Sequence, residues 1–340
     1  MKYALEEKKH FHEIDVLYAL GAILAILGHS HPNDWNAFPG QWVEFIYSFH
    51  MPLFFAIAGF LFAQSQSVER LGYGRWLKEK ALRLLSPYFV LSLVALVPKY
   101  VLEHGGLSEF TPQYLAAAFF VPRQNVWGHF WFLPVLFLMY AIFGVLRQIG
   151  TASKTGAFSW RWMMLFLIAV CLHFLKPNLL WFGISDLCNY SVYFLLGYAV
   201  FCFQLPREKV CPARGYALLA GVLLAVTLCM WKLVPRSDVR DFVIAILMLS
   251  CMYAVGHGAK KRNTPGLDFI AQFVFTFYIY SWPAQAIVER LCSHYHISWM
   301  LTTPIMFGTG MLCPAILILL YRKCAFLHCR FADLVLGMRE

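Results

Sequence analysis

Runs of about 20 apolar residues, separated by short polar stretches, recur along nearly the whole chain. A helix needs a run of about that length to cross the roughly 30 Å hydrocarbon core of a bilayer. Ten stretches fit, at positions 14–32, 42–64, 84–102, 130–147, 161–176, 180–203, 214–234, 241–258, 268–290 and 300–321. The fifth is short, and the sixth carries several Tyr and Asn residues. The pattern predicts an all-α fold, a polytopic membrane helical bundle of about ten transmembrane helices. No stretch between the runs is long enough for a separate soluble domain, and no internal repeat is visible. Residues 1–340 are therefore read as a single transmembrane domain. No secretory signal with a small-residue cleavage site precedes the first run, which is kept as a helix of the mature chain.

Composition agrees with this class. Hydrophobic residues make up 60% of the chain and charged residues 14%. A soluble domain carries about 25% charged residues, so this surface cannot mostly face water. Charge also sets an orientation. Of the 28 Lys and Arg residues, seven fall on one side of the spans: Lys99, Arg123, Lys176, Lys232, Arg236, Arg240 and Arg290. The other 21 lie on the opposite side with the N-terminus, and cytoplasmic loops carry the basic excess, so both termini are expected in the cytoplasm. The loop with Lys232, Arg236 and Arg240 runs against the trend. The net charge of +10 follows from this bias and from contact with anionic membrane lipids, without any nucleic-acid partner. The ten cysteines form no CxxC, and most lie in or near the spans as small apolar residues. No GxGxxG, P-loop or HExxH pattern occurs.

Polar residues inside apolar runs are the informative ones, because an ionisable group at membrane depth faces the bundle interior or a wet cavity. The first run, "EIDVLYALGAILAILGHS", places Asp15, Tyr18 and His29 on one helical face over about 21 Å of rise. Asp15 lies near the inner mouth and His29 in the outer half, so a partner for His29 must come from another helix. The second run, "EFIYSFHMPLFFAIAGFLF", offers His50 from the same outer side, two residues before Pro52. Pro52 frees a carbonyl and opens room for a cavity, which both histidines can line. A metal site on His29-Ser30-His31 is disfavoured, since residues i and i+2 do not face each other and only Asp34 accompanies them. On the cytoplasmic side, "RLGYGRWLKEKALRLLSPY" carries Arg70, Arg75, Lys78, Lys80 and Arg83. Lys80 and Arg83 share a face at the membrane edge, suited to the phosphates of a nucleotide-bearing donor. Arg83 is also placed to pair with Asp15.

These blocks, with "KALRLLSPY", "HFWFLPVLFLMY", "YSVYFLLGYAVF" and "FTFYIYSWPAQ", resemble in content and order the integral-membrane acyltransferases of acyltransferase family 3. "SFHMPLFF" is most similar to the fucose 4-O-acetylase-like branch. The resemblance extends from the first run to the ninth. It implies transfer of an acyl group, usually acetyl from cytoplasmic acetyl-CoA, to a hydroxyl of an extracytoplasmic glycan or lipid-linked sugar. It implies a multi-pass protein of the bacterial inner membrane. By the same resemblance His29 corresponds to the family's essential histidine, and Lys80 and Arg83 to its basic pair. Trp131 corresponds to the WFLP tryptophan and Tyr280 to the ninth-span tyrosine. Two positions depart: Tyr18 stands where the family usually has a basic residue, and Ala58 precedes Gly59 where Ser-Gly is usual.

The chemistry is consistent with a histidine. A sugar hydroxyl attacking a thioester needs a base whose pKa lies near neutrality, and the resulting oxyanion needs donors aimed at it. His29 is the expected base, with His50, Trp131 and main-chain N–H groups near Pro52 as candidate donors. Arg75, Lys80, Arg83, Asp15, Tyr18 and Tyr280 form the expected acyl-CoA-binding set. The acceptor is expected to enter near Trp35 and Trp42. The alternative is a non-catalytic transporter, exporter or sensor on the same scaffold, which Tyr18 and Ala58 favour. No paired inverted repeats of the transporter kind are visible.

Overall fold

A computed structural model describes residues 11–31, 40–65, 67–104, 110–148, 160–202, 212–260, 263–324 and 329–337. Trp35, one of the two residues expected at the outer mouth, lies outside them. Regular structure among the described residues is helical, without strands. The helices are α1 (His12–Gly28), α2 (Gly40–Gln64), α3 (Ser67–Leu71), α4 (Tyr73–His104), α5 (Pro112–Phe120), α6 (Phe132–Leu146) and α7 (Trp160–Leu175). They continue as α8 (Ile184–Cys202), α9 (Ala213–Leu233), α10 (Asp238–Ala259), α11 (Pro265–Gln272), α12 (Val274–His294), α13 (Trp299–Lys323) and α14 (Arg330–Leu336).

Among the described residues the ten predicted stretches fall on helices, the ninth on two of them, α11 and α12, which are broken at Phe273. Six described segments are long and apolar enough to cross a membrane: Gln41–Gln64, Tyr73–Val101, Gly128–Leu146, Ala213–Leu233, Asp238–Ala259 and Trp299–Lys323. The others fall short for visible reasons. α1 has 17 residues and α7 has 16, which is about 24–26 Å of helix. α8 contains Asp186 and Asn189, and α12 contains Gln285, Glu289 and Arg290. The lipid-facing character is plainest on α9. Only Tyr216, Ala220 and Thr227 of that helix are buried, while Leu218 is 71% and Leu233 80% exposed.

The fold divides into two compact units. The first comprises residues up to Phe54 together with Pro206–Val274. In it α9 packs along α10, and α1 packs against α10 and α11. Its core joins Phe45 and Phe49 of α2 to Ile244 and Met248 of α10, with Leu24 and Trp231 against them. Gly256 lets α10 approach α1 closely, since a Cβ there would lie 2.8 Å from the Glu13 carbonyl oxygen. Ser237 caps α10, its hydroxyl accepting from the Arg240 N–H.

The second unit comprises Phe55–Leu205 and Phe275–Glu340. In it α7 packs on α8, α6 on α4 and α8, and α14 on α4. Its interior is aromatic. The Phe143 and Phe194 rings stack with centroids 5.0 Å apart, and Trp162 stacks on Tyr198 at 4.1 Å. α2 and α8 cross at backbone contact: a Cβ on Gly59 would sit 1.8 Å from the Phe194 carbonyl oxygen, and one on Gly197 1.8 Å from that of Ala56. Arg147, at the end of α6, pairs with Glu69 of α3 at 2.6 Å and donates to the Phe62 carbonyl.

Candidate active site

α1 stops at Gly28, four residues before the end of the predicted run, and His29 forms its C-cap with φ −88° and ψ 0°. The last carbonyls of a helix lack intrahelical donors. Here α2 supplies one: the Tyr47 hydroxyl donates to the Gly28 carbonyl at 3.0 Å. The same hydroxyl lies 3.1 Å from His29 Nδ1. The partner of His29 therefore comes from the second helix. It is a tyrosine that sequence reasoning passed over.

The contacts between α1 and the first part of α2 run in opposite chain directions. Tyr18 meets Phe54 (ring centroids 6.3 Å), Gly21 accommodates Leu53 and Phe54, and Gly28 faces Ile46 and Tyr47. Tyr18 and His29 thus both face α2, as their spacing required. His50 is buried (6% exposed), with its Nδ1 3.0 Å from the Ile46 carbonyl oxygen one turn earlier. The Tyr47 ring contacts both imidazoles, 5.6 Å from His29 and 5.0 Å from His50 by centroids. His29 and Asp15 are half-buried. The result is a cluster of two imidazoles and a phenol, aromatic-walled and poor in charge.

The remaining sequence-predicted residues belong to the second unit. Lys80 and Arg83 leave α4 near each other but rest on different rings. The Lys80 ammonium lies 4.7 Å from the Tyr140 centroid and 5.9 Å from that of Trp76. The Arg83 guanidinium lies 6.0 Å from Phe275 and is exposed. Arg75 is exposed and sits 3.8 Å from Glu79. The Tyr280 hydroxyl donates to the Val335 carbonyl at 3.0 Å, and Thr276 donates to Leu336 at 2.9 Å. Tyr280 therefore also docks the short helix α14, whose end is set by Gly337 at φ +71°.

Trp131 ends a short 3-10 turn (Gly128–Trp131) that leads into α6, and is 7% exposed. The Arg123 guanidinium lies over its ring at 3.9 Å, and Tyr190 flanks it at 5.3 Å. Asp186 grips Arg123 in a fork, Nη2 to Oδ1 at 2.6 Å and Nε to Oδ2 at 3.0 Å. Burial alone would lower the pKa of Arg123, but the Asp186 carboxylate outweighs it and the net direction is upward. This clamp was not visible in the sequence, where 63 residues separate the partners. Asp186→Asn keeps the shape and removes the charge. It is expected to lower stability by about 2 kcal/mol, less than a fully buried pair because Arg123 is half-exposed. Thermal unfolding in detergent measures this.

Comparison with known proteins adds the family. The sequence model of acyltransferase family 3, described as an acyltransferase domain, matches residues 11–320. No curated protein matches the chain, and no solved structure matches it. The family match spans both units, the His29–Tyr47–His50 cluster and the basic start of α4. The chain belongs to acyltransferase family 3 and is a multi-pass membrane acyltransferase.

Proposed function

We propose that the protein moves an acyl group, acetyl in the simplest case, from cytoplasmic acyl-CoA to a hydroxyl of an extracytoplasmic glycan or lipid-linked sugar. The observation that carries this reading is His29, held at the end of α1 by Tyr47 and accompanied by His50, in a chain of acyltransferase family 3. In this reading all ten predicted stretches cross the bacterial inner membrane, both termini are cytoplasmic, and residues 1–340 act as one domain. The sequence of α2 favours the fucose 4-O-acetylase-like branch.

His29 removes the proton of the acceptor hydroxyl as its oxygen attacks the thioester carbonyl. The tetrahedral intermediate collapses by breaking the carbon–sulfur bond, and the CoA thiolate takes the proton from the imidazolium. Neutral His50 has its Nδ1–H committed to the Ile46 carbonyl. It therefore acts as an acceptor for a substrate hydrogen, and the oxyanion falls to Trp131 and main-chain N–H groups. Lys80 and Arg83, with Arg75, hold the donor phosphates, while Asp15, Tyr18 and Tyr280 complete the donor-binding set. Lys80→Ala and Arg83→Ala are each expected to raise KM for acyl-CoA about 10-fold, with an effect that shrinks in high salt. The test of the whole reading is label transfer from radiolabelled acetyl-CoA by purified protein in proteoliposomes, wild type against His29→Ala. Absence of acyl-CoA binding by the wild type, or full activity of the variant, sinks it.

A further inference from the structure

We infer that Tyr47 is a positioning residue that fixes the tautomer of His29, so that Nε2 is the nitrogen that takes the substrate proton. This rests on the reading of His29 as the base. A phenol has one hydrogen and an oxygen able to accept. The Gly28 carbonyl can only accept, so the Tyr47 hydrogen is directed to it, at 3.0 Å. The 3.1 Å contact between the same oxygen and His29 Nδ1 is then satisfied with Nδ1–H donating to Tyr47. In a neutral imidazole the other nitrogen is left with the lone pair. Nε2 is thereby the basic atom.

Two further observations support a dedicated arrangement. The Tyr47 ring fits only because residue 28 has no side chain, since a Cβ there would lie 2.8 Å from Tyr47 Cε1. The ring also meets His50, whose Nδ1 donates to Ile46 and whose Nε2 is likewise left as an acceptor. One tyrosine thus ties the end of α1 to α2 and orients the imidazole that terminates it. The role matches that of the third group in hydrolytic triads, which holds an imidazole in its working tautomer, with a neutral phenol in place of a carboxylate.

The experiment uses Tyr47→Phe, which keeps the ring and removes the oxygen. With His29 as base, kcat is expected to fall about 100-fold while KM for acyl-CoA stays unchanged. In the His29→Ala background the same substitution is expected to cause no further loss, because the hydroxyl acts through the imidazole. A readout independent of turnover comes from nitrogen NMR of histidine-labelled protein in lipid bilayers, with His29 assigned by difference against His29→Ala. The wild type is expected to show Nδ1 protonated and Nε2 bare, and Tyr47→Phe a mixture of tautomers. If His29→Ala is inactive but Tyr47→Phe turns over within ~3-fold of wild type, or its His29 signals are unchanged, the inference fails and the base assignment stands. If His29→Ala is fully active, the base assignment fails and the inference falls with it. Gly28→Ala keeps the hydroxyl but displaces the ring, and is expected to reproduce the loss of kcat.

Discussion

A methyl group at residue 59 is expected to prevent normal folding. The Cβ of Gly59→Ala would lie 1.8 Å from the Phe194 carbonyl oxygen and 2.7 Å from its carbon. The obstacle is backbone, so no side chain can swing aside. α2 and α8 would have to separate, and the Phe62, Phe143 and Phe194 rings packed beside the crossing would lose contact. In lipid, helices gain nothing from hydrophobic exclusion and depend on close packing, which makes small residues at a crossing decisive. The expected loss exceeds about 4 kcal/mol, at the upper end for single substitutions. Gly197→Ala meets the Ala56 carbonyl oxygen at the same 1.8 Å and should behave alike. Gly221→Ala on the exposed face of α9, where a Cβ meets nothing within 4 Å, is the control. It should change stability by less than about 1 kcal/mol. Yield of monodisperse protein in detergent separates the three variants.

His29→Ala is expected to lower kcat by about 10³- to 10⁴-fold while leaving KM for acyl-CoA nearly unchanged. General-base assistance acts on the transition state. In the proposed reading the donor phosphates are held by Lys80, Arg83 and Arg75, not by His29. Stability should change little, because His29 is half-buried and caps α1 through its main chain, its N–H bonding to Ala25. A collapse of folding in this variant, or an equal fall in donor affinity, would assign His29 to structure or to donor binding. Single-turnover transfer from labelled acetyl-CoA distinguishes the two parameters.

Much of this fold is written in hydropathy. Among the described residues the predicted stretches fall on helices, and six segments are long and apolar enough to cross a bilayer, where the backbone has to close its own hydrogen bonds. The ends are less legible. α4 begins at Tyr73, eleven residues before its predicted start, since Arg75, Lys78 and Lys80 are polar yet keep the helical period. α1 ends early at Gly28, and the partner of its last carbonyl, Tyr47, is 19 residues away in sequence. The short helices α3, α5 and α14 left no trace among the long apolar runs, and the ninth run did not show the break at Phe273 that separates α11 from α12. At the site, His29 and His50 stood out as polar residues in apolar surroundings. Tyr47 did not, being one of 17 tyrosines in a chain that is 17% aromatic. Its spacing of three before His50, which puts both on one helical face, was the available clue.

Lys80 shows what an aromatic setting does for a flexible cation. A free lysine holds up to about 2 kcal/mol of rotamer entropy that a ligand must overcome to immobilise it. Here the ammonium already rests over Tyr140 and Trp76. Trp76 is itself fixed, buried to 3% exposure against Gly144, where any Cβ would approach the ring to 2.6 Å. Folding has therefore done the ordering in advance. In the proposed donor site a phosphate would meet a charge whose freedom is already reduced, so more of the electrostatic attraction would remain as affinity.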